Sequence, residues 1–310
     1  MNEEKVKKAC WIHNNINYQD FLDKPKEVYH YTLMDTLQKI LEKKQLRFTN
    51  REYLNDKSEG TYVLKLCKEK IDDLWSNENS EEKKAFCKYL DEVLAGDHRD
   101  VFQIYQVSFS CKADSLTMWN YYAGGSGCCI QFYDELLANF RNKLKEAKPD
   151  NLLFLYGKVI YNENKQVKTL KKIFEKYAFD CDNDYWMYCF VQSILRIGAF
   201  FKHPGFKDER ESRIVFELAK NERDEFAMLI PQKKAKIPDE NDVLYKCSIQ
   251  PKHGMLVPYV DIDFDLKWIK SITVPPTAKF ETVEEEIKIW LSEQNLKNVP
   301  VKKSEIPLRF

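Results

Sequence analysis

The order of predicted strands and helices is the feature that most constrains the fold of this 310-residue chain. Segments rich in β-branched and aromatic residues, which are typical of strands, alternate with segments whose apolar residues recur at helical spacing. No regular strand–helix–strand repeat runs through the chain, as it would in a doubly wound parallel sheet. The sequence therefore predicts an α+β fold, in which a mixed, largely antiparallel sheet forms the core and helices flank it.

The predicted elements are consistent with one domain that carries two helical insertions. The predicted strands are 27–32, 46–48, 102–110, 128–133, 152–161, 212–218, 245–250, 255–260 and 268–274. The helical insertions are expected near 57–95 and 165–201, where apolar residues recur every three to four positions. No linker divides the remaining chain convincingly. We therefore expect an N-terminal lead-in at 1–26 and a single α+β domain at 27–310.

The composition argues against several classes of protein. Lysine plus arginine equals aspartate plus glutamate at 49 each, so net charge gives no general reason to expect a polyanionic partner. The nine cysteines are scattered and the charged N-terminus lacks a secretory apolar run, which favours reduced thiols in the cytoplasm. No stretch of about 18 apolar residues and no C-x-x-C or H-E-x-x-H motif occurs. We expect a soluble cytoplasmic protein without a membrane partner or a metal.

A histidine lies in the first predicted strand. Because side chains alternate along a strand, His30 and Thr32 share one face, and Tyr29 and Tyr31 share the other. A histidine at a strand end, beside the start of a helix, can donate a hydrogen bond to a ligand hydroxyl. Taken alone, the pattern fits better with a core histidine that is bonded to the backbone.

Aromatic residues and glycines are concentrated in one segment. Trp119 and Tyr122 precede three of the nine glycines of the chain, at 124, 125 and 127. Aromatic side chains beside flexible backbone can form a stacking platform for a planar ring. Ordinary core packing of a short helix is the alternative, and the glycines favour the ligand site.

Two carboxylates and a guanidinium recur at alternate positions before another strand. If the strand extends backwards, Glu209, Glu211 and Arg213 share one face, in steps of about 7 Å. Such a row could hold a ribose hydroxyl or stabilise a developing positive charge. A solvated charged edge is the somewhat more frequent arrangement. The chain contains no hydrolase nucleophile elbow, P-loop or dinucleotide-binding fingerprint. The sequence therefore does not support a kinase, a P-loop enzyme or a Rossmann dehydrogenase.

Seven short motifs follow one another along the chain. They are Y-H-Y-T at 29–32, L-N-D-x-x-E at 54–59, S-F-S at 108–110, W-x-x-Y-A at 119–123, G-x-C-I-x-F at 127–132, E-x-E-x-R at 209–213 and S-x-I-P-x-R at 304–309. In this order they resemble the bacterial family known as domain of unknown function 2971. The resemblance extends from about 28 to 309, and Gln131 stands where the family often has glycine.

The order of histidine strand, aromatic segment and glutamate strand is also similar to the ADP-ribosyltransferase superfamily. This resemblance, at the level of the fold, implies NAD as a substrate. The catalytic residues it implies are His30 on a ribose hydroxyl, Glu211 and, as second choice, Glu209. The binding residues it implies are Tyr31, Thr32, Phe109, Ser110, Trp119, Tyr122 and Arg213, with Trp119, Tyr122 and Phe109 as candidates for stacking on nicotinamide. Arg213 would keep the neighbouring carboxylate ionised at neutral pH.

Three functional hypotheses follow. The first is an NAD-consuming ADP-ribosyltransferase or NAD glycohydrolase, acting as a toxin or a phage-defence effector, whose acceptor is a protein or nucleic acid that the sequence does not identify. The second is a non-catalytic module that binds a nucleotide-like small molecule or a protein. The third is a nucleic-acid processing enzyme that uses Lys171, Lys172 and the basic run 233–236. The aromatic-rich helices at 174–201 could also pair two copies into a homo-oligomer.

Overall fold

The fold combines a branched β-sheet with helices on its two faces. The computed structural model describes residues 15–54, 56, 58–75, 81–96, 102–146, 153–177, 184–220, 226–229, 243–246, 248–252 and 254–308.

Twelve strands pair into one sheet within the described ranges. They are β1 (Val28–Thr32), β2 (Gln45–Asn50), β3 (Phe102–Ser110), β4 (Cys128–Phe132), β5 (Phe154–Lys158), β6 (Glu211–Lys220), β7 (Phe226–Leu229), β8 (Val243–Lys246), β9 (Ser248–Lys252), β10 (Met255–Asp263), β11 (Ile269–Val274) and β12 (Val301–Lys303). Their spatial order is β12-β11-β4-β1-β3-β2-β10-β9, and β6, β5, β7 and β8 branch from β3. The strand pairs are antiparallel apart from β11 with β12. The prediction of a mixed, largely antiparallel α+β fold is confirmed.

The helices arise where apolar residues recur at helical spacing. They are α1 (Met34–Lys43), α2 (Tyr62–Glu69), α3 (Ile71–Leu74), α4 (Glu81–Ala95), α5 (Leu116–Tyr122), α6 (Glu135–Glu146), α7 (Glu163–Tyr177), α8 (Asp184–Gly198) and α9 (Phe280–Glu293). In α1, for example, Leu37, Ile40 and Leu41 form the buried stripe. The described part of the chain contains no helix with the length and hydrophobicity needed to cross a membrane.

The two larger of three hydrophobic clusters among the described residues lie on opposite faces of the central strands, and the third packs Tyr31 of β1 against Trp119 of α5. The α8-side core contains the buried faces of α2, α4, α7 and α8. The α1-side core contains those of α1, α6 and α9. Because side chains alternate along a strand, β3 contributes Ile104 to the first core and Tyr105 to the second, and β6 likewise contributes Val215 and Ile214. The two central strands therefore connect both cores.

The sheet splits beside β3. One edge of β3 pairs with β6 along its whole length, from Phe102 with Ala219 to Ser110 with Glu211. The other edge is shared, since Ser110 pairs with Tyr29 of β1 and Gln106 pairs with Thr49 of β2. Between these two points, none of the described strands pairs with this edge. The divergence of β1 and β2 therefore opens a split in the middle of the sheet.

The glycines after α5 have structural roles. Gly124 and Gly125 adopt φ values of +57° and +72°, a conformation that favours glycine. A Cβ atom at Gly127 would lie 2.0 Å from the carbonyl oxygen of Thr32, so only glycine lets β4 begin this close to β1. The interpretation that these glycines favour a ligand site is therefore corrected, because backbone geometry alone accounts for them.

Candidate functional site

A cavity of about 230 Å³ lies at the split in the sheet. Of the residues predicted from sequence, it is lined by His30, Tyr31, Phe109, Ser110, Tyr122, Glu209 and Glu211. The other lining residues are Tyr29, Arg47, Thr49, Leu54, Asp56, Glu59, Gln106, Val107, Ser108, Met118, Lys202 and Lys252. Three distant chain segments, around His30, Tyr122 and Glu211, thus contribute to one cavity.

The remaining predicted site residues lie next to the cavity and do not line it. Trp119 is buried, its ring packs edge-on against Tyr31 at 4.9 Å, and its Nε1 donates to Asp114. Arg213 is buried behind the carboxylates. Thr32 lines a neighbouring groove. Among the proposed stacking residues, Tyr122 and Phe109 reach the cavity wall and Trp119 supports the wall from behind.

The His30 imidazole is arranged to accept a hydrogen bond from a ligand. Its Nδ1 lies 3.1 Å from the carbonyl oxygen of Ser108, across the split. A carbonyl can only accept, so Nδ1 carries the proton and Nε2 is an acceptor in the neutral ring. Burial lowers the pKa of His30, against the opposing effect of the Ser108 bond. The sequence-based expectation that His30 donates to a ligand hydroxyl is thus corrected, since the free nitrogen accepts.

Glu211 and Arg213 form a buried ion pair on β6. Arg213 Nε and Nη2 each donate to a Glu211 carboxylate oxygen at 2.8 Å. The same guanidinium contacts the Glu59 carboxylate and donates through Nη1 to the Ala199 carbonyl at 2.6 Å. Burial alone would raise the pKa of Glu211, but the charges of Arg213 and Lys202 outweigh it and lower the pKa to about 2. The Glu211 carboxylate is therefore ionised at neutral pH.

Lys202 links the two predicted acidic residues. Its ammonium lies 2.6 Å from Glu209 Oε2 and 3.2 Å from Glu211 Oε2. The Tyr122 hydroxyl donates to the other oxygen of Glu209 at 2.9 Å. Burial would lower the pKa of Lys202, yet the carboxylates raise it overall, so the amine stays charged. Burial also raises the pKa of Tyr122, with Glu209 adding to the effect, so its hydroxyl remains a donor.

Glu59 and Lys202 are charged cavity residues that were not among the predicted site residues. Glu59 is the last residue of the L-N-D-x-x-E motif. Burial raises the pKa of its carboxyl group, although the charge of Arg213 opposes this. Lys202 directly follows the buried pair Phe200 and Phe201. No sequence pattern marks Lys202 as a cavity residue, because lysine is almost never fully buried unless it is paired and its partners Glu209 and Glu211 are not its helical or strand neighbours.

The remaining predicted contacts hold the cavity wall in place. The Ser110 hydroxyl donates to the Glu209 carbonyl at 2.8 Å, which connects β3 to the turn before β6. The Tyr31 hydroxyl lies 2.7 Å from the Ala113 carbonyl, in the loop that precedes α5. In that loop, Asp114 accepts from Ser304 of the C-terminal tail at 2.9 Å. The tail motif thus fastens the segment that carries Tyr122.

A groove of about 440 Å³ continues from the cavity, because His30, Tyr31, Arg47, Tyr122 and Lys252 line both. We call it the lysine groove, after Lys39 and Lys43 of α1 and Lys252 of β9. None of these three lysines forms an ion pair with a described residue. Arg47, in contrast, pairs through two nitrogens with Asp261 at 2.8 Å. Among the described residues, the groove therefore carries positive charge without an ion-pair partner, whereas Glu209 and Glu211 of the cavity are paired with Lys202 and Arg213.

Other groups considered from sequence lie away from the cavity. Lys171 and Lys172 are exposed on α7, and the basic run 233–236 lies outside the described residues. Within the described ranges, no cluster of three or more His, Cys, Asp or Glu side chains has an arrangement that could hold a metal ion.

Comparison with known proteins agrees with the motif resemblance over part of the chain. No curated protein and no solved structure matches the chain. The segment 118–214 includes most of α5, all of β4, the short 3-10 helix that ends at Glu209 and the start of β6, and it therefore contains Tyr122, Glu209 and Glu211. Residues 118–214 match the family described as "Protein of unknown function (DUF2971)", so the resemblance predicted from the motifs is confirmed over this segment.

Proposed function

We propose that the chain consumes NAD by cleaving the bond between nicotinamide and ribose, as an ADP-ribosyltransferase or an NAD glycohydrolase. The observation that carries the proposal is that His30, Tyr122 and Glu211 line one cavity. Its cellular role, as a toxin or in phage defence, stays a prediction. So does the identity of the acceptor, which is water in the glycohydrolase case.

The proposed reaction assigns a task to each group. The nicotinamide leaves with the bonding electron pair and becomes neutral, while positive charge develops on the ribose as in glycoside cleavage. The ionised carboxylate of Glu211 would stabilise that charge. The acceptor nitrogen of His30 would receive a hydrogen bond from a ribose hydroxyl. The attacking water or acceptor hydroxyl bonds to the ribose carbon and releases its proton.

The lysine groove supports a nucleotide as the ligand. The groove offers three cationic side chains without described partners, next to a cavity that contains Glu59, Glu209 and Glu211. NAD carries a negatively charged diphosphate that the lysines of the groove would contact, while its nicotinamide end would enter the cavity. Electrostatic complementarity of this kind favours one orientation of the ligand over the reverse.

The test compares two buried ion pairs on the same strand. Glu211 pairs with Arg213, and Glu217 pairs with Arg196 in the same two-nitrogen manner at 2.7 Å, but Glu217 does not line the cavity. Glu211→Gln and Glu217→Gln should therefore destabilise the fold similarly, and only Glu211→Gln should reduce turnover, by about 100-fold or more.

Release of nicotinamide from NAD, measured by chromatography with purified protein, is the readout. Melting curves of both variants establish that they are folded at the assay temperature. A wild-type chain that neither binds NAD nor releases nicotinamide would refute the proposal. Equal loss of turnover in both variants would assign the effect to stability and not to the cavity.

A non-catalytic nucleotide-binding module is the second candidate, and one observation favours it. Each carboxylate oxygen of Glu209 and Glu211 already accepts a hydrogen bond from Tyr122, Lys202 or Arg213. Carboxylates bonded in this way have less capacity left for a substrate. This candidate predicts that NAD or ADP-ribose raises the melting temperature and that no nicotinamide is released.

A further inference from the structure

Gln106 has a side-chain amide beside the cavity that makes no hydrogen bond in the described structure. It lies on β3 at the split, lines the cavity and is only 2 % exposed. Its side-chain Nε2 and Oε1 are both buried without a hydrogen-bond partner in the described structure. Burying an amide without partners costs free energy, so nearly all buried side-chain amides in proteins are bonded. A buried amide that lines a cavity and has no hydrogen-bond partner within the protein is therefore a group to which a ligand can bond.

Gln131 is a second buried glutamine, and its hydrogen bonds are those expected of a residue with a structural role. Gln131 lies on β4 and is 7 % exposed. Its Nε2 donates to Glu27 and to the Tyr29 hydroxyl, both at 3.1 Å, and its Oε1 accepts from Ser271 at 2.9 Å. Every polar atom of Gln131 therefore has a partner inside the protein, whereas those of Gln106 have none.

We infer that Gln106 recognises a carboxamide of the ligand through paired hydrogen bonds. A primary amide side chain offers one acceptor oxygen and two donor hydrogens side by side. The group that satisfies both atoms at once also offers a donor beside an acceptor, and a carboxamide does so. The inference rests on the proposed function, because the carboxamide of NAD is on the nicotinamide ring. Gln106 thereby determines specificity and takes no part in bond cleavage.

The geometry of the split supports this assignment. Gln106 pairs with Thr49 where β2 leaves β3, and Ser110 pairs with Tyr29 where β1 leaves it. Gln106 and Ser110 thus bound the open edge of β3, and Glu211 pairs with Ser110 from the β6 side. A nicotinamide bound to Gln106 would lie in the same cavity as Glu209 and Glu211, because all three residues line it.

The test uses one substitution at both glutamines. Gln106→Leu removes two unpartnered atoms, so the melting temperature of the free protein should stay equal or rise. Gln131→Leu breaks three hydrogen bonds, so its melting temperature should fall. NAD affinity, measured by isothermal titration calorimetry, should fall by about 10- to 100-fold in Gln106→Leu. Affinity for ADP-ribose, which lacks the carboxamide, should be unchanged in that variant.

Several outcomes would overturn the inference. One is wild-type affinity of Gln106→Leu for NAD. Another is a fall in melting temperature as large as that of Gln131→Leu, which would assign Gln106 to the core. A third is equal loss of NAD and ADP-ribose binding. If the wild-type chain releases nicotinamide but Gln106→Leu binds NAD normally, only this inference fails. If the wild-type chain does not bind NAD, the proposed function fails with it.

Discussion

The Glu211 carboxylate makes the stability of the fold depend on pH. Burial alone would raise its pKa, but Arg213 and Lys202 lower it from 4.5 to about 2. A carboxyl group whose pKa falls on folding stabilises the folded state above the unfolded pKa, and this contribution is lost as the pH drops through the folded pKa. We expect about 3 kcal/mol from this ionisation at neutral pH, lost progressively between about pH 4.5 and pH 2.

Urea unfolding of wild type and Glu211→Gln at a series of pH values measures this contribution. The difference in free energy of unfolding should be largest at neutral pH and should shrink as the pH falls below about 4.5. Glu286→Gln, at an exposed position on α9, is the control for the loss of one carboxylate. A difference between wild type and Glu211→Gln that stays constant with pH would contradict the assignment.

The contacts between site residues could be predicted from sequence only where the residues lie on the same strand. Glu211 and Arg213 face the same side because they are two positions apart, and the structure pairs them. Lys202 and Glu59 could not be placed in this way, because their partners lie on other segments. Trp119 was predicted to stack on a ligand because of the motif in which it lies. In the structure its ring packs against Tyr31 and its Nε1 donates to Asp114, so it has a structural role.

At the scale of elements, α1 and β9 form the charged walls of the lysine groove. Replacing Lys39, Lys43 and Lys252 together by Gln removes three cations from the groove. We expect affinity for ADP-ribose to fall by about tenfold, at roughly 0.5 kcal/mol for each exposed charge pair, and the fall to become smaller at higher salt. Calorimetric titration at two salt concentrations gives both quantities.

A triple variant on α7 is the matched control for the lysine groove. Lys168, Lys171 and Lys176 are exposed, and α7 packs into the α8-side core, away from α1. Their replacement by Gln changes the net charge equally and should leave ADP-ribose affinity unchanged. Equal losses in the two triple variants would show a general charge effect, and the groove would then have no part in binding.

Local sequence patterns predicted most elements but not how they are arranged. The strands β1, β3, β4 and β6 follow from runs of β-branched and aromatic residues. The start of α1 could not be predicted from a capping signal, because Leu33 occupies the N-cap position without a side-chain hydrogen bond. The split itself depends on which strands pair with β3, and these pairings join segments far apart in the chain.

At the scale of the whole molecule, β3 and β6 connect the two cores through alternate side chains. Burial of Ile104 and Val215 in the α8-side core fixes the same backbone that presents Tyr105 and Ile214 to the α1-side core. Loss of order on one face would therefore remove support from the other. The cavity lies between these strands and β1, so its geometry depends on both cores.

The prediction of a single domain at 27–310 can be tested through this connection. Leu170 of α7 belongs to the α8-side core and Leu37 of α1 to the α1-side core, and both are completely buried. Replacing either by Ala should lower the free energy of unfolding by about 2–5 kcal/mol. Because the central strands belong to both cores, each variant should unfold in one transition.

Tryptophan fluorescence and far-UV circular dichroism provide independent probes of that transition. Trp75 and Trp186 report on the α8-side core, and Trp268 and Trp290 report on the α1-side core. Replacing one of these pairs by Phe removes the signal of that core, and Trp11 and Trp119 contribute the same background to both variants. In a single cooperative unit, Leu170→Ala shifts the midpoint equally for both cores and for circular dichroism. A midpoint that moves only for the tryptophans of the mutated core would divide the chain into two domains, with the cavity at their boundary.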